Sequence, residues 1–349
     1  MSLAEYIEAM PKVELHVHLE GSIRPGTLLG LAERNRVDLP ANTAEGLRAW
    51  YTFTDFSHFI DVYRSIARCI CTPDDIELIT REFLSGQAAQ RIVYTEATYT
   101  AFTQWRYGRI PFRDQLAAIN RARTWAEKTL GVSMGIVVDI ARDLEPEDGL
   151  TIADWAIGGM SDGVIALGLA GAEAGFPPEK FAAAFARARS AGLPAVPHAG
   201  ETAGPESIWG AIDVLQAARI GHGVRCLEDP GLVRELRSRQ IPLEVCPTSN
   251  ICLRVAPDWT RHPLPRLLAE GLYVTLNSDD PPLFDTTLTG EFTRAAESFE
   301  LGANGVERLF LNAVRASFLP APARGDLERR FIEEFAATRA QHIEKVFLS

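Results

Sequence analysis

Short β-rich runs alternate with longer helical stretches along most of this 349-residue chain. Such alternation is typical of strand, helix, strand units built around a parallel sheet. The runs fall at residues 13–17, 92–98, 133–140, 163–169, 194–198, 220–222, 241–246 and 273–277. Eight parallel strands separated by helices can close on themselves. We therefore predict an α/β fold with a single TIM (β/α)8 barrel.

A long helical insertion is predicted after the first strand, at about residues 25–90. Segments 25–36, 54–69 and 74–90 have helical periodicity, and Thr54 and Thr72 are polar residues suited to begin two of these helices. We expect the insertion to lie over the barrel mouth. The tail from Leu311 predicts C-terminal helices that flank the barrel. No Pro-, Gly- or Ser-rich linker divides the sequence, so residues 1–349 are predicted to form one domain.

Charge and composition restrict the ligand. A formal net charge of −11 works against a broad phosphate-binding surface, so we expect a small molecule and no nucleic acid as partner. No apolar stretch reaches the roughly 18 to 20 residues of a membrane-spanning helix. Five sparse cysteines and the lack of a recognisable secretion signal predict a reduced, cytoplasmic protein.

Unusual polar residues collect at the ends of the predicted strands. They follow or close runs one, five, six and eight: His16, His18, His198, Glu201, His222, Asp279 and Asp280. In a β/α barrel the C-terminal ends of all strands surround one mouth. These side chains are therefore expected to converge on one site although they are far apart in sequence.

Four of these residues form a plausible metal-binding set. Alternate side chains of a strand share a face, so His16 and His18 can offer two imidazoles to one ion. His198 and Asp279 would add a third nitrogen and a carboxylate oxygen. Three histidines and one aspartate leave a position for water, as in catalytic zinc sites. We predict one Zn²⁺ per chain, with Fe²⁺, Mn²⁺ or Co²⁺ as alternatives for the same ligands.

Other histidines and aromatic residues have weaker patterns. His58, His262 and His342 lie in helical or loop segments without a partner pattern, and we assign them no functional role. Phe56 and Phe59 lie in the inserted helices. They form either an apolar lid over the substrate or the packing face of an amphipathic helix.

The strand-end motifs resemble those of the adenosine deaminase family of the amidohydrolase superfamily, in the family's order. The resemblance runs from about residue 10 to beyond residue 291. It rests on His16-Val17-His18-Leu19-Glu20-Gly21, His198-Ala199-Gly200-Glu201, Gly221-His222-Gly223 and Leu276-Asn277-Ser278-Asp279-Asp280-Pro281. It implies a barrel whose zinc ligands match the four residues proposed above.

The resemblance also implies roles for residues around the metal. Glu201 would protonate ring nitrogen N1, which requires a raised pKa for its carboxyl group. His222 would assist water activation by taking the water proton and stabilising the developing negative oxygen. Asp280 would contact N7, and the backbone amide of Gly171 would meet N3.

The fourth strand predicts a single metal. Superfamily members with two metals bridge them through a carboxylated lysine at the end of this strand, and residues 163–169 contain no lysine.

Substrate choice stays open between related purines. Adenosine enzymes of the family usually carry Asp, which contacts the ribose 5′-hydroxyl, where this chain has Glu20, whereas the segment around Gly171 is adenosine-like. We predict a zinc-dependent hydrolytic deaminase of adenosine or deoxyadenosine, which yields inosine from adenosine and releases ammonia. The alternatives are an aminodeoxyfutalosine deaminase of menaquinone synthesis and an adenine deaminase. A catalytically silent nucleoside-binding barrel is a further alternative, opposed by the presence of every proposed ligand and acid-base residue.

Overall fold

The computed structural model describes the backbone of residues 1–347 and the side chains of residues 1–340. Within that range eight parallel strands follow one another in chain order around a single sheet. They are β1 (Lys12–His18), β2 (Ile92–Tyr99), β3 (Ser133–Ala141), β4 (Val164–Ala170), β5 (Ala195–Ala199), β6 (Ile220–His222), β7 (Leu243–Val245) and β8 (Val274–Leu276). Every strand matches a predicted run to within two residues at each end. The predicted TIM barrel is confirmed.

Closure of the barrel occurs between the end of β1 and the segment just after β8. An isolated parallel bridge joins Val17 to Asp279. The His18 amide donates to the Asp279 carbonyl at 2.9 Å, and the Asp279 amide donates to the His16 carbonyl at 3.1 Å. The residues that follow β8 are thereby held beside the end of β1.

Helices surround the strands and cover their outer face. Parallel strands enclosed in this way are buried on both faces, and all seven residues of β1 are buried. The helices are α1 (Leu3–Ala9), α2 (Pro25–Asn35), α3 (Ala44–Trp50), α4 (Phe56–Ala67), α5 (Pro73–Ala89), α6 (Ala101–Gly108), α7 (Phe112–Leu130), α8 (Pro146–Gly158), α9 (Ala182–Ser190), α10 (Pro205–Asp213), α11 (Pro230–Arg239), α12 (Pro247–Cys252), α13 (Leu264–Ala269), α14 (Leu288–Ser298), α15 (Ala303–Ala316) and α16 (Ala321–Phe347).

Helices α2 to α5 form the insertion between β1 and β2. Three of them match the predicted helical segments to within two residues, and the short α3 was not predicted. Apolar side chains of the insertion, such as Leu28 and Phe59, share one hydrophobic cluster with Val17 of β1 and Phe284 after β8. Burial of this surface packs the insertion onto the barrel. The assignment of residues 1–349 to one domain stays a prediction.

The starts of α4 and α5 differ in how well they were predicted. Thr72 caps α5 as expected, since its side chain accepts from the Asp75 amide while the Asp75 carboxylate accepts from the Thr72 amide. At α4 the cap is Asp55, whose carboxylate accepts from the His58 amide at 2.9 Å. The expectation that Thr54 begins this helix is wrong by one residue.

All five cysteines are free in the described structure. Burial raises the pKa of the Cys69 thiol to about 12, as expected of an unreactive core residue. The cytoplasmic location stays a prediction. Among the described residues, no helix is both long enough and apolar enough to cross a membrane.

The two threonines provide a matched test of helix capping. Thr72→Ala should lower the free energy of unfolding by about 1 kcal/mol, because it removes the side-chain acceptor at the start of α5. Thr54→Ala should change it much less, because Asp55 still caps α4. Urea unfolding of both variants measures the difference. Equal losses for the two variants would contradict this assignment of the caps.

Candidate active site

Four side chains meet in the mouth of the barrel, two from β1, one from β5 and one just beyond β8. His18 Nε2 lies 3.2 Å from His198 Nε2 and 3.3 Å from Asp279 Oδ1. His16 Nε2 lies 3.4 Å from the same carboxylate oxygen. One ligand atom from each residue lies within 4.8 Å of the others, and all four residues are buried. The structure thus brings together the residues predicted to bind metal.

The chemistry of this cluster fits a divalent cation. His16 Nε2 is buried and has no hydrogen-bond partner among the described residues. Burial lowers the pKa of His18 to about 4 and holds the pKa of His198 well below its usual value, so both rings are neutral, the form that binds metals. Burial also disfavours protonation of His16, but the neighbouring carboxylates of Asp279 and Glu244 outweigh burial and raise its pKa to about 10. A bound cation would replace that proton.

Second hydrogen bonds orient two of the imidazole rings. His198 Nδ1 lies 3.1 Å from the Leu169 carbonyl, which can only accept. The ring proton is therefore on Nδ1, and Nε2 keeps a free lone pair that faces the cluster. His16 Nδ1 lies 2.8 Å from Glu244 Oε2. Because this contact occupies Nδ1, the other ring nitrogen, Nε2, faces the cluster. Partners of this kind fix the orientation and raise the basicity of metal-binding histidines.

A buried ion network supports the Glu244 carboxylate. Arg219, 1% exposed, donates to Glu244 Oε1 and to Glu96 Oε2, each at 2.5 Å. Coulombic attraction to Arg219 and the hydrogen bond with His16 outweigh burial and lower the pKa of Glu244. Sequence reasoning missed these residues. Glu96 and Glu244 could have been recognised as acidic side chains within apolar strands. A buried charge needs a partner, and this would have pointed to a buried basic residue.

A second group of possible ligands shares the same aspartate. His222, Cys246 and Asp279 also lie within 4.8 Å of one another. This group offers three ligand atoms, whereas His16, His18, His198 and Asp279 offer four. The three histidines with Asp279 are the better set.

Glu201 follows β5 and is buried beside the cluster. Burial raises its pKa well above the usual range, and repulsion from Asp279 adds to this effect. The Glu173 carboxylate accepts from the backbone amides of Gly200, Glu201 and Thr202 at 2.8 Å and so holds this loop in place. The sequence analysis did not identify Glu173 as a functional residue.

His222, at the end of β6, faces the same space as Glu201. Its Nε2 lies 3.7 Å from Glu201 Oε2 and 3.8 Å from Asp279 Oδ2. Its backbone has a positive φ of 60°, which is uncommon for a residue with a side chain. The two predicted acid-base residues thus lie next to each other and next to the candidate metal ligands.

A cavity of about 510 Å³ opens from this cluster. Asp280, Gly171, Phe56 and Phe59 all line it, as expected for substrate contacts. Burial and repulsion from Asp279 raise the pKa of Asp280 well above its usual range. Phe59 also packs against Phe284 with ring centroids 5.7 Å apart, so it both lines the cavity and anchors the insertion.

Glu20 is not among the residues that line the cavity. Its fully buried carboxylate accepts from the Tyr63 hydroxyl at 3.2 Å and from the Thr100 amide at 3.0 Å. Tyr63 and Thr100 do line the cavity, so Glu20 positions parts of its wall. The predicted contact of Glu20 with the substrate stays a prediction.

Asp139, near the end of β3, is an acidic cavity residue that sequence reasoning missed. Burial raises its pKa to about 6, and its Oδ1 has no hydrogen-bond partner in the described part of the chain. Its signal was a carboxylate near the C-terminal end of a barrel strand, where catalytic and binding residues collect.

Comparison with known proteins gives consistent matches over nearly the whole chain. The sequence profile described as adenosine deaminase matches residues 11–334. An aminodeoxyfutalosine deaminase of Streptomyces avermitilis is 42% identical, with 92% of this chain and 90% of that protein aligned. An adenine deaminase of Trichlorobacter lovleyi is 40% identical, with 96% and 95% aligned.

A solved structure extends the comparison to the metal. An amidohydrolase from Burkholderia ambifaria with bound zinc superposes with a TM-score of 0.90 at 26% identity, covering 98% of this chain and 95% of that one. Together with the cluster of three histidines and Asp279, this comparison identifies zinc as the cofactor.

Substitutions in the cluster should separate metal binding from catalysis. His16→Ala and Asp279→Ala should lower bound zinc and turnover together, because each removes one ligand. Glu201→Gln should retain zinc and lower kcat by roughly 100-fold or more, because the amide cannot exchange a proton. Metal analysis beside a rate assay provides the measurement. Near-native turnover of Glu201→Gln would remove Glu201 from the reaction.

Proposed function

The chain belongs to the adenosine deaminase family and is a hydrolytic deaminase of a cyclic amidine, and from this premise we propose an aminodeoxyfutalosine-type substrate. In such a substrate the adenine base belongs to a nucleoside with an altered 5′ group. The observation that carries the proposal is the size of the cavity, about 510 Å³, which lies within the roughly 300–1,000 Å³ typical of sites for drug-sized ligands. The relative from Streptomyces avermitilis supports the same substrate.

Adenine is the second candidate. The Trichlorobacter lovleyi relative, named an adenine deaminase, is nearly as similar and aligns over slightly more of this chain. The contacts of Glu20 also favour adenine over adenosine, because both carboxylate oxygens already accept hydrogen bonds, from Tyr63 and from Thr100. Adenosine and deoxyadenosine, predicted first from the sequence, receive less support from the relatives than these two alternatives.

The reaction replaces the 6-amino group of the purine with oxygen from water and releases ammonia. We propose that His16, His18, His198 and Asp279 hold the zinc. Zinc held by these residues would lower the pKa of a water molecule and so would supply a nucleophile near neutral pH. The raised pKa of Glu201 lets this carboxyl group hold a proton for ring nitrogen N1. Protonation of N1 makes C6 more electrophilic, because the ring can then accept the electron pair.

Further groups would orient the base. Asp280 is suited to donate a hydrogen bond to N7, because its raised pKa favours the protonated form. The Gly171 backbone has a φ of 97°, a conformation suited to glycine, and is proposed to meet N3. His222 is proposed to act on the oxygen that adds to C6.

Asp139 is our candidate for the sugar side of the substrate. Its carboxylate has an oxygen without a partner and lines the cavity, so it is suited to accept a hydrogen bond from a ribose hydroxyl. A free base has no such hydroxyl. Asp139→Asn should therefore affect nucleosides more than adenine.

The substrate is tested by ammonia release from zinc-loaded protein with aminodeoxyfutalosine, adenosine, deoxyadenosine and adenine. We expect the highest kcat/KM for aminodeoxyfutalosine. Asp139→Asn should lower that value by about 10- to 100-fold, as is usual for loss of a hydrogen bond to a charged group, and leave adenine nearly unchanged.

Two results would contradict the proposal. A clear preference for adenine would make the second candidate correct. An equal effect of Asp139→Asn on adenine and on the nucleosides would place Asp139 away from the sugar. Glu20→Asp serves as a comparison, because Glu20 bonds to Tyr63 and Thr100 and is proposed not to discriminate among the substrates by direct contact.

A further inference from the structure

A buried chain of hydrogen bonds leads away from His222, on the side opposite the candidate metal ligands. His222 Nδ1 lies 3.2 Å from Asn250 Nδ2, and Asn250 Oδ1 lies 3.2 Å from His262 Nε2. The chain ends at the Leu264 backbone amide, which donates to His262 Nδ1 at 3.1 Å. Asn250 and His262 are 0% and 4% exposed. Sequence reasoning assigned His262 no function and did not consider Asn250.

The backbone amide determines the direction of every bond in this chain. Because Leu264 N–H can only donate, His262 Nδ1 must accept, and the proton of the neutral ring is on Nε2. His262 Nε2 then donates to Asn250 Oδ1, which leaves the amide NH₂ of Asn250 facing His222. His222 Nδ1 must therefore accept. The reverse orientation of Asn250 would place two donors against each other at His262.

The surroundings of His262 favour its neutral form. Its ring lies against Trp259 and Phe299, with centroids 6.4 and 6.1 Å away. Burial lowers its pKa to about 4, so the ring carries a single proton near neutral pH. Near neutral pH the His262 ring therefore keeps its proton on Nε2, as the hydrogen bond from the Leu264 amide requires.

We propose that Asn250 and His262 are positioning residues that hold His222 in the tautomer with its proton on Nε2. Asn250 contacts His222 directly, whereas His262 acts through Asn250. In this tautomer the N–H of His222 is directed toward the space shared with Glu201 and Asp279. The inference deepens the proposed function and rests on it for the reaction that occurs there.

The tautomer revises the expected role of His222. A ring that already carries a proton on Nε2 donates a hydrogen bond to the oxygen added at C6 and does not take the water proton through that nitrogen. The water proton can pass to Glu201 after this group has given its own proton to N1. His222 would then stabilise negative charge on oxygen, in the manner of an oxyanion-hole donor.

Asn250→Asp is the sharpest test, because it keeps the shape of the side chain and replaces the donor that faces His222 Nδ1 with an acceptor. The carboxylate still accepts from His262, but it presents an acceptor to His222 Nδ1 and favours a proton there. Nitrogen-15 NMR of the histidine rings in zinc-loaded protein, with His222 assigned by means of His222→Asn, reports which nitrogen is protonated. We expect the proton on Nε2 in the natural chain and on Nδ1 in Asn250→Asp.

Kinetics should follow the tautomer. Loss of one donor to a developing oxyanion lowers kcat by roughly 100-fold or more, with a smaller effect on KM, and we expect this for Asn250→Asp. Zinc content should stay unchanged, because all four ligands remain. If Asn250 had only a structural role, Asn250→Asp would leave the proton of the His222 ring on Nε2.

His262 provides a matched pair of variants that leave Asn250 intact. His262→Gln can still donate an N–H to Asn250 and should retain most of kcat. His262→Leu cannot, and should lower kcat by roughly 10-fold or more, as for other outer partners of a site.

Three results would overturn the inference: a proton on His222 Nδ1 in the natural chain, an unchanged tautomer with near-native kcat in Asn250→Asp, or equal kcat values for His262→Gln and His262→Leu. The NMR measurement needs no substrate. An Nε2 proton in a protein that is inactive on the compounds tested would refute the proposed substrate and still support the tautomer.

Discussion

The backbone pairing of Asp279 with the His16–His18 segment is the contact on which both the fold and the site depend. It closes the barrel after β8 and also carries the aspartate to the two histidines of β1. Asp279 has a positive φ of 65° at this junction. Aspartate tolerates that conformation better than most residues, but it still has an energetic cost. The residue whose backbone closes the barrel is thus also a candidate metal ligand.

Buried charges around this junction orient the side chains of the candidate metal ligands. They contribute little to the stability of the fold. Arg219 lies between Glu96 and Glu244, and Glu244 in turn holds His16. A buried ion pair of this kind adds little stability compared with apolar packing, because its charges must be removed from water. Its effect here is directional, since it fixes which nitrogen of His16 faces the cluster. The Glu173 carboxylate likewise has an orienting effect, since it accepts from the Glu201 amide and holds the loop that carries Glu201 in place.

The strands and the metal-binding cluster could be predicted because their signals are local. Each strand is a short apolar run, and histidines or aspartates stand out at or just after the ends of four of these runs. Barrel topology then brings those ends together. The short α3 was missed because it has only seven residues and one buried apolar side chain, Leu47.

Contacts between distant segments could not be predicted in the same way. The hydrogen bond that the Glu20 carboxylate accepts from Tyr63, 43 residues further along the chain, could not be read from the motif around Glu20. The orientation of the His222 ring depends on Asn250 and on a backbone amide beyond His262. Motif and spacing identify the residue types at such a site, whereas hydrogen-bond direction requires the folded structure.

We propose that one zinc ion is held by three histidines and one aspartate at the closing junction of the barrel. Anomalous diffraction at the zinc absorption edge, from crystals of zinc-loaded protein, tests it most directly. We predict one strong peak per chain, bonded to His16, His18, His198 and Asp279. A second peak that shares a ligand, or a single peak bonded to Cys246 and His222, would contradict the account.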